Sequence, residues 1–330
     1  FMARDLFLFF LFFELTLVPV FFLIGIYGLY EREKAANWFL VYNGIGSAFM
    51  LIAFLILIAT AGMTMNGASF VFTGNYDVIF ANIHDPGHVS NAAAYLTQNI
   101  ANPFYLTEGH RTFVFFLLLI AFGIKLPIFP FHTWMLRVHA EAAPPVVMIH
   151  SGVLLKMGAY GLLKFGVFLF PEEAERWALL IAILGVVNIL YGAALAFVQK
   201  EFRLVLAYSS ISHMGVVLIA IASLNAVGVQ GAVFQMVSHG LISALMFLIV
   251  GSLYERTSTT ELPKLGGFAK PMPFISGMLL LAGMASLGLP GLSGFVSEYL
   301  SFLSLFGSMP VVTSIGCLGI IVTAVYVLRG

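Results

Sequence analysis

The sequence GIKLPIFPF, residues 123–131, decides the fold of this chain, because it places one lysine and two prolines at the end of a long apolar segment. Residues 112–122 before it contain no charged side chain, so a transmembrane helix is predicted to reach Lys125 near the middle of a membrane. Proline lacks a backbone donor and clashes with the carbonyl four residues earlier, and Pro127 and Pro130 should therefore end the helix just after Lys125. A lysine at mid-bilayer costs about 2.5–3.5 kcal/mol, and a helix break is tolerated there only against protein or water. A charge and a break at the same depth indicate an ion pathway.

The composition predicts an all-α polytopic membrane protein. Hydrophobic residues make up 61% of the chain and charged residues only 9%, whereas an ordinary soluble domain is about 25% charged. The mean hydropathy is +1.02. A net charge of zero excludes nucleic acid as a partner. The single Cys317 excludes an internal disulfide framework and a cysteine metal cluster. Because the sequence starts at Phe1 and shows no signal-peptide pattern, we expect it to be part of a longer chain.

Nine apolar runs are long enough to cross a membrane, and two of them are interrupted. The runs cover about residues 5–30, 36–62, 111–135, 144–169, 176–199, 203–223, 228–254, 272–306 and 308–328. The third run is interrupted by residues 123–131, and the eighth is interrupted by LPGLSGF, residues 289–295.

The two interruptions predict an internal repeat. They lie five spans apart, and since five is an odd number, two units related in this way must sit inverted in the membrane. Paired helix breaks in two halves are typical of inverted-repeat transporters. The sequence therefore predicts inverted five-helix repeats, each with one broken transmembrane helix, within one membrane domain. Residues 1–170 form the first repeat, which lacks one helix, and residues 171–330 form the second.

The loop charges predict the orientation of the spans, since cytoplasmic loops carry an excess of lysine and arginine. If residues 31–34 are inside, nine basic residues fall on that side: Arg32, Lys34, Arg137, Lys200, Arg203, Arg256, Lys264, Lys270 and Arg329. Three fall outside: Arg4, Arg111 and Arg176. The loop 63–110 is assigned to the outside, and its many aromatic residues predict that it packs over the bundle.

Three ionisable residues in the first half of the chain are candidates for a function within predicted spans: Glu14, Lys125 and Lys156. A lone membrane carboxylate is either protonated or paired. Glu14 is thus either a neutral packed side chain or a partner of Lys125, which would form a buried pair with it. Lys164 lies near the outer boundary, where a long side chain reaches the surface, and is not assigned a function.

The second half contributes His213, His239 and Glu298. A single membrane histidine often only completes a hydrogen bond between helices. Two histidines on successive spans, between Lys156 and Glu298, favour a functional role, with His239 as the expected partner of Glu298, either directly or through water. For His139 and His150, near the inner end of their spans, a structural and a functional role remain equally open.

These six residues predict a proton pathway through Glu14, Lys125, Lys156, His213, His239 and Glu298. None of them has the spacing of metal ligands, and protons can pass along such a row through water. The sequence contains no glycine fingerprint after a strand and has one cysteine, so no binding of NADH, flavin or an iron–sulfur cluster is expected.

The same stretches resemble a known family, the antiporter-like membrane subunits of respiratory complex I. They are KLP at 125–127, PFHTW at 130–134, HAEA at 139–142 and GVLLKMGAYGL at 152–162. FFEL at 12–15 followed by VP at 18–19 resembles the fifth helix of the family, with its glutamate. The resemblance covers nearly the whole chain, up to the thirteenth helix of the family. It implies that Glu14 and Lys125 form an ion pair, that Lys156 is a central relay, that His213 and His239 form a bridge, and that Glu298 is the distal end.

Within the family, the second break distinguishes the subunits. The L and N subunits, and the D-type component of multisubunit sodium/proton antiporters, place a lysine after this break, whereas subunit M (subunit 4 in mitochondria) places a glutamate. Here the sequence is GFVSEY at 294–299, with Glu298 at that position. The chain is therefore most similar to subunit M.

The resemblance implies a proton-translocating membrane subunit of an NADH:quinone oxidoreductase in a bacterial plasma membrane. Flavin, iron–sulfur clusters and quinone are then expected in partner subunits, and enzyme activity would belong to the assembly. Other membrane subunits, including neighbouring antiporter-like ones, are the expected partners. Two alternatives remain open: a protein similar to the D-type component of a sodium/proton antiporter, and a scaffold with a vestigial channel.

Overall fold

Twelve α-helices and one two-stranded hairpin form the part of the chain that the computed structural model describes, residues 1–66, 69–84 and 106–329. The first helices are α1 (Leu6–Tyr27), α2 (Arg32–Ala59), α3 (Tyr76–His84), α4 (Glu108–Lys125) and α5 (Thr133–Glu141). They are followed by α6 (Pro144–Val167), α7 (Pro171–Val198), α8 (Phe202–Ala222) and α9 (Ala226–Thr257). The last are α10 (Pro273–Ser286), α11 (Ser293–Phe306) and α12 (Pro310–Arg329). The antiparallel hairpin consists of β1 (Met63–Asn66) and β2 (Ser69–Phe72).

All nine predicted spans are present. Among the described residues, seven helices are long and apolar enough to cross a membrane: α1, α2, α6, α7, α8, α9 and α12. The two interrupted runs form the helix pairs α4–α5 and α10–α11. The predicted all-α membrane fold is thus confirmed, and the hairpin is an addition that the sequence analysis did not predict.

Helix α7 begins five residues before the predicted start at 176, at Pro171. Proline suits the first turn of a helix because the first backbone N–H groups need no partner within the helix. Glu172 and Glu173 occupy the same turn, where the helix dipole favours negative charge. Charged residues therefore lie inside this helix, beyond the apolar run from which its start was predicted.

The first break lies where the prolines predicted it, since α4 ends at Lys125. Its free backbone groups are satisfied by the side chain of Asn188 on α7. The Phe129 backbone N–H donates to Asn188 Oδ1 at 2.8 Å, and Asn188 Nδ2 donates to the Pro127 carbonyl at 3.3 Å. Trp134 Nε1 also donates to the Ile124 carbonyl at 3.1 Å. Backbone groups inside a membrane protein need such partners because no lipid atom can replace water.

The second break uses glycine conformations instead. Gly288 and Gly291 have positive φ angles of 77° and 99°, which glycine adopts without a steric penalty. The chain between α10 and α11 therefore turns within six residues, 287–292, and α11 restarts at Ser293.

Glycines also bring α7 and α8 together. A Cβ atom on Gly192 would lie 2.7 Å from the Ser212 backbone nitrogen and 2.8 Å from the Tyr208 carbonyl oxygen. One on Gly215 would lie 2.6 Å from the Gly185 carbonyl oxygen. Small residues allow membrane helices to approach to backbone contact, which increases van der Waals attraction between them.

One end of the bundle carries most of the basic residues. The Leu29 backbone N–H donates to the Glu141 carbonyl at 2.7 Å, and the Arg203 guanidinium donates to the Ala140 carbonyl at 3.2 Å. These bonds place the end of α1, the end of α5 and the start of α8 together. We call it the basic end, and it includes Arg32, Lys34, Arg137, Lys200, Arg203, Arg256, Lys264 and Arg329. Loop charge predicts that this end faces the cytoplasm.

The loop 63–110 packs against the opposite end, as predicted, over the residues that the structure describes. The Tyr76 hydroxyl of α3 donates to the Lys164 carbonyl at 3.0 Å, and Lys164 Nζ lies 4.9 Å from the centre of the Tyr76 ring. Residues 85–105 lie outside the described part of the chain, and for them the packing stays a prediction.

The orientation can be tested by cysteine labelling in a Cys317→Ser background. Asp77 on α3 and Glu255 near the end of α9 are exposed at opposite ends of the bundle. We expect a membrane-impermeant maleimide added outside sealed right-side-out vesicles to label the Asp77→Cys variant. The Glu255→Cys variant should react only after the vesicles are permeabilised. The reverse pattern would contradict the assigned orientation.

The glycine contact between α7 and α8 predicts a loss of stability in the Gly192→Ala variant. The added methyl group meets backbone atoms, and overpacking of this kind costs about 1–3 kcal/mol. Gly44→Ala is the matched control, since Gly44 also lies inside a 28-residue helix and a Cβ atom added to it would have no other atom within 4 Å. We expect a lower melting temperature in detergent only for Gly192→Ala, and equal melting temperatures would refute the close contact.

Candidate functional site

A close approach of α6 and α9 places Lys156 against His239. A Cβ atom on Gly240 of α9 would lie 2.7 Å from the Gly152 carbonyl oxygen of α6, so the two backbones touch. Lys156 Nζ contacts His239 Nδ1 at 2.8 Å and also donates to the Ser151 carbonyl. Ser151 lies in a π-helical turn, in which i→i+5 hydrogen bonds replace the α-helical pattern, and such turns are frequent at functional sites. The Lys156 ammonium group thus has polar partners although its side chain is buried.

His213 of α8 connects this lysine–histidine contact to Glu298. The rings of His213 and His239 are 5.2 Å apart between centroids. His213 Nδ1 lies 3.4 Å from Glu298 Oε1 and 3.4 Å from the Gln235 amide nitrogen. On the other side of the ring, Nε2 lies 3.2 Å from Ser286 Oγ. His213 is therefore contacted through both ring nitrogens.

Glu298 lies on α11 directly after the second break and is 8% exposed. A Cβ atom on Gly288 would lie 2.8 Å from Glu298 Oε2, so the break itself packs against the carboxylate. The direct contact expected between His239 and Glu298 is not formed, and a contact between them through water stays a prediction. The direct partner is His213, because His239 turns its Nδ1 towards Lys156 on α6.

In the first half, Lys125 is buried between two aromatic rings. Its Nζ lies 5.0 Å from the centre of the Phe13 ring and 5.5 Å from that of Phe39, where ring faces attract cations. Glu14 is within electrostatic range, but among the described residues no ion pair within 4.0 Å joins it to Lys125. The predicted Glu14–Lys125 pair is therefore not an ion pair within 4.0 Å, and a buried pair at longer range or through water stays a prediction.

His139 and His150, whose roles the sequence left open, contact each other. His139 Nε2 lies 3.0 Å from His150 Nδ1, and both side chains are fully buried. The His150 ring packs edge-on against Trp134 at 5.4 Å. It lies within electrostatic range of both Lys125 and Lys156. His150 therefore lies close enough to both lysines to interact with each of them electrostatically.

The sequence analysis missed Gln235 and Ser286. Gln235 is buried on α9 and accepts a hydrogen bond from Ser297 through its Oε1 atom, which leaves its amide nitrogen facing His213. The sequence could have indicated Gln235, since this residue precedes His239 by four positions and therefore lies on the same helix face. Ser286 had no such signal because serines are common in membrane spans.

Together these contacts order four of the six predicted residues as Lys156, His239, His213 and Glu298. An amine, two imidazoles and a carboxylate can each hold or release a proton, so the row can pass protons by short steps. Among the described residues, no group of three or more histidine, cysteine, aspartate or glutamate side chains could hold a metal ion. Lys125 and Glu14 lie in the first half, and no hydrogen bond or ion pair between described residues joins them directly to the row.

Comparison with known proteins identifies the family. The family model described as "NADH:quinone oxidoreductase/Mrp antiporter, TM" matches residues 3–323. The chain belongs to this family. The multi-pass membrane location and the resemblance to the antiporter-like subunits are thereby confirmed.

Two similar relatives are NAD(P)H-quinone oxidoreductase chains 4. The one from Thermosynechococcus vestitus is 44% identical over 99% of this chain, and the one from Gloeobacter violaceus is 40% identical over 99%. The chain spans 57% and 58% of their lengths, respectively. Since chain 4 is the counterpart of subunit M, the predicted resemblance to that subunit is confirmed.

Two solved structures contain a chain with a similar fold. A chain of respiratory complex I from Thermus thermophilus matches with a TM-score of 0.86 and 30% identity, covering 99% of this chain and 64% of that one. A chain of the Mrp complex from Dietzia sp. matches with a TM-score of 0.82 at 22% identity, covering 99% of this chain and 56% of that one. The second likeness shows a shared fold alone.

The contact between Gly288 and Glu298 predicts different effects for two glycine variants. Gly288→Ala and Gly291→Ala both force alanine into a left-handed conformation, which costs about 1–2 kcal/mol. Only the methyl group on Gly288 would meet the carboxylate, since a Cβ atom on Gly291 has no atom within 4 Å. In infrared spectra, the carboxyl band assigned by its loss in Glu298→Gln should shift only in Gly288→Ala. An equal shift in both variants would show that backbone strain is the cause.

Proposed function

We propose that this chain is the proton-translocating part of a membrane subunit of an NADH:quinone oxidoreductase. The observation that supports the proposal best is the continuous buried row from Lys156 through His239 and His213 to Glu298, with contacts of 2.8 Å and 3.4 Å at its two ends. A buried row of this kind is costly in a membrane, where each charged side chain raises the free energy by several kcal/mol. A purely structural role would not need four groups that can all exchange protons.

In the proposed mechanism, each step moves one proton between neighbouring groups. A protonated Lys156 gives its proton to His239 Nδ1, across the 2.8 Å contact, and becomes a neutral amine. The proton passes to the His213 ring, 5.2 Å away between centroids, through ring rotation or one water molecule. His213 then protonates Glu298 from Nδ1. One donor is neutralised whenever one acceptor gains a proton, so no step adds net charge to the membrane interior.

The first repeat would supply protons to this row. We assign Lys125 and Glu14 to the start of the pathway and the His139–His150 pair to the connection between Lys125 and Lys156. We also propose that residues 1–170 and 171–330 are inverted repeats. One broken helix in each half, α4–α5 and α10–α11, supports that assignment.

Partner subunits are required for the activity as a whole. Quinone reduction needs redox groups, and we place flavin, iron–sulfur clusters and the quinone site in other subunits of the complex. The expected direct neighbours are further antiporter-like membrane subunits. The expected location is the plasma membrane of a bacterial cell, with the basic end in the cytoplasm.

The alternative, a protein similar to the D-type component of a sodium/proton antiporter, has less support. The likeness to the Mrp complex chain concerns the fold at 22% identity, whereas relatives at 40–44% identity are named as quinone oxidoreductase chains. Isolation of the intact complex distinguishes the two, since NADH oxidation should co-purify with this chain only under the first proposal.

Glu298→Gln tests the row directly, because glutamine retains the shape and most hydrogen bonding but cannot carry the proton. We expect normal amounts of assembled complex and a loss of proton pumping by about tenfold or more, measured as acidification of inverted vesicles per NADH oxidised. The control is Glu255→Gln, since Glu255 is exposed at the basic end. Normal pumping in Glu298→Gln would refute the proposed role of the row.

A further inference from the structure

A cavity of about 280 Å³ lies between α8, α9, α10 and α12, away from the contact between Lys156 and His239. At its lower rim are Phe202, the first residue of α8, and Leu328, next to the last residue of α12, so the cavity begins at the basic end. Its upper rim includes Ser209 and Ser286. Ser286 is ten residues after Ser276, which corresponds to about 15 Å along α10. The cavity thus reaches from the basic end to the depth of the buried row.

Hydroxyl groups lie at three depths along this otherwise apolar cavity. Ser276 Oγ, nearest the basic end, is buried and has no hydrogen-bond partner among the described residues. The Tyr326 hydroxyl donates to Ser209 Oγ at 2.9 Å. At the upper rim, Ser286 Oγ lies 3.2 Å from His213 Nε2. Hydroxyl groups can donate and accept at the same time, which is what a chain of water molecules needs from its walls.

The unpartnered Ser276 hydroxyl is a place where a water molecule would bind in the cavity. A buried polar atom without a partner is unfavourable, and water removes this penalty where there is room for it. A water molecule occupies about 30 Å³ in the liquid, so the cavity has room for several. Ser209 Oγ accepts from the Tyr326 hydroxyl and can still donate or accept a further bond.

His213 separates this cavity from Glu298. Its Nε2 atom meets Ser286 at the cavity, and its Nδ1 atom faces Glu298 and Gln235, with the His239 ring alongside. A proton gained at Nε2 and a proton released from Nδ1 leave the ring neutral, so the imidazole can transfer protons from one side to the other. This transfer does not require Lys156.

We propose that the cavity is a second proton uptake route, which runs from the basic end past Ser276 and Ser286 to His213. This inference rests on the proposed function, because it assigns a source of protons to the same row. Glu298 would then receive protons through His213 from two sources, namely Lys156 through His239 and the cavity directly. The second repeat could then take up protons from the basic end even when no protons arrive through the first repeat.

Water access is the direct test and does not depend on pumping. In the assembled complex with Cys317→Ser, Ser286→Cys is exposed to silver ions, which are close to water in size, added on the basic-end side of sealed vesicles. We expect rapid modification, slowed at least tenfold when Ser276→Leu fills the lower cavity. Ser301→Cys is the control, because Ser301 is fully buried on α11 and does not line the cavity. No modification of Ser286→Cys from that side, or equal rates with and without Ser276→Leu, would overturn the proposal.

A pumping measurement then distinguishes a cavity that only contains water from one that also delivers protons to His213. Ser276→Leu should reduce proton pumping per NADH at least twofold, whereas Ser314→Leu adds the same volume at an exposed position on α12 and should not. Normal pumping in Ser276→Leu would overturn the second route while leaving the Glu298→Gln result unaffected. A loss in Glu298→Gln with normal pumping in Ser276→Leu would therefore refute this inference and keep the proposed function.

Discussion

The structure depends on one constraint: inside a membrane, each polar group needs a partner, either within the protein or in bound water. Where proline ends α4 after Lys125, the side chain of Asn188 satisfies both an N–H group and a carbonyl group of the break. The same helix end leaves the lysine between the rings of Phe13 and Phe39, which stabilise a cation without a formal counter-charge. The break and the buried charge thus lie at the same point, and each has partners on neighbouring helices.

The buried row in turn depends on how closely its helices approach. Lys156 meets His239 only because Gly152 and Gly240 let α6 and α9 touch at the backbone. The glycine break beside Glu298 has a comparable effect at the other end of the row, since a Cβ atom on Gly288 would lie 2.8 Å from Glu298 Oε2 and displace the carboxylate. Helix packing therefore affects the geometry of the row directly, because the glycines determine how close its ionisable side chains lie to one another.

The sequence was sufficient to predict the nine spans, both breaks and the residues of the row, because charge and proline inside apolar runs are strong local signals. It was not sufficient to predict which groups touch. Nearly every residue of α8 is buried, so its sequence has no polar face from which the direction of His213 could be read. For this reason the direct contact of His213 with Glu298 was not predicted. The hairpin formed by β1 and β2 was missed for a related reason, since its strands are only four residues long.

The orientation of Gln235 gives the row a further property. Because its Oε1 atom accepts from Ser297, its amide N–H faces His213 Nδ1 and favours the tautomer in which that nitrogen is an acceptor. A protonated Glu298 can donate to such a nitrogen, whereas an ionised Glu298 requires Nδ1–H instead. If Glu298 exchanges protons as proposed, each change in its charge would also change the tautomer of His213 and the proton that Nε2 presents to Ser286. The proposed proton transfer at Glu298 would in this way be coupled to the opposite side of the imidazole ring.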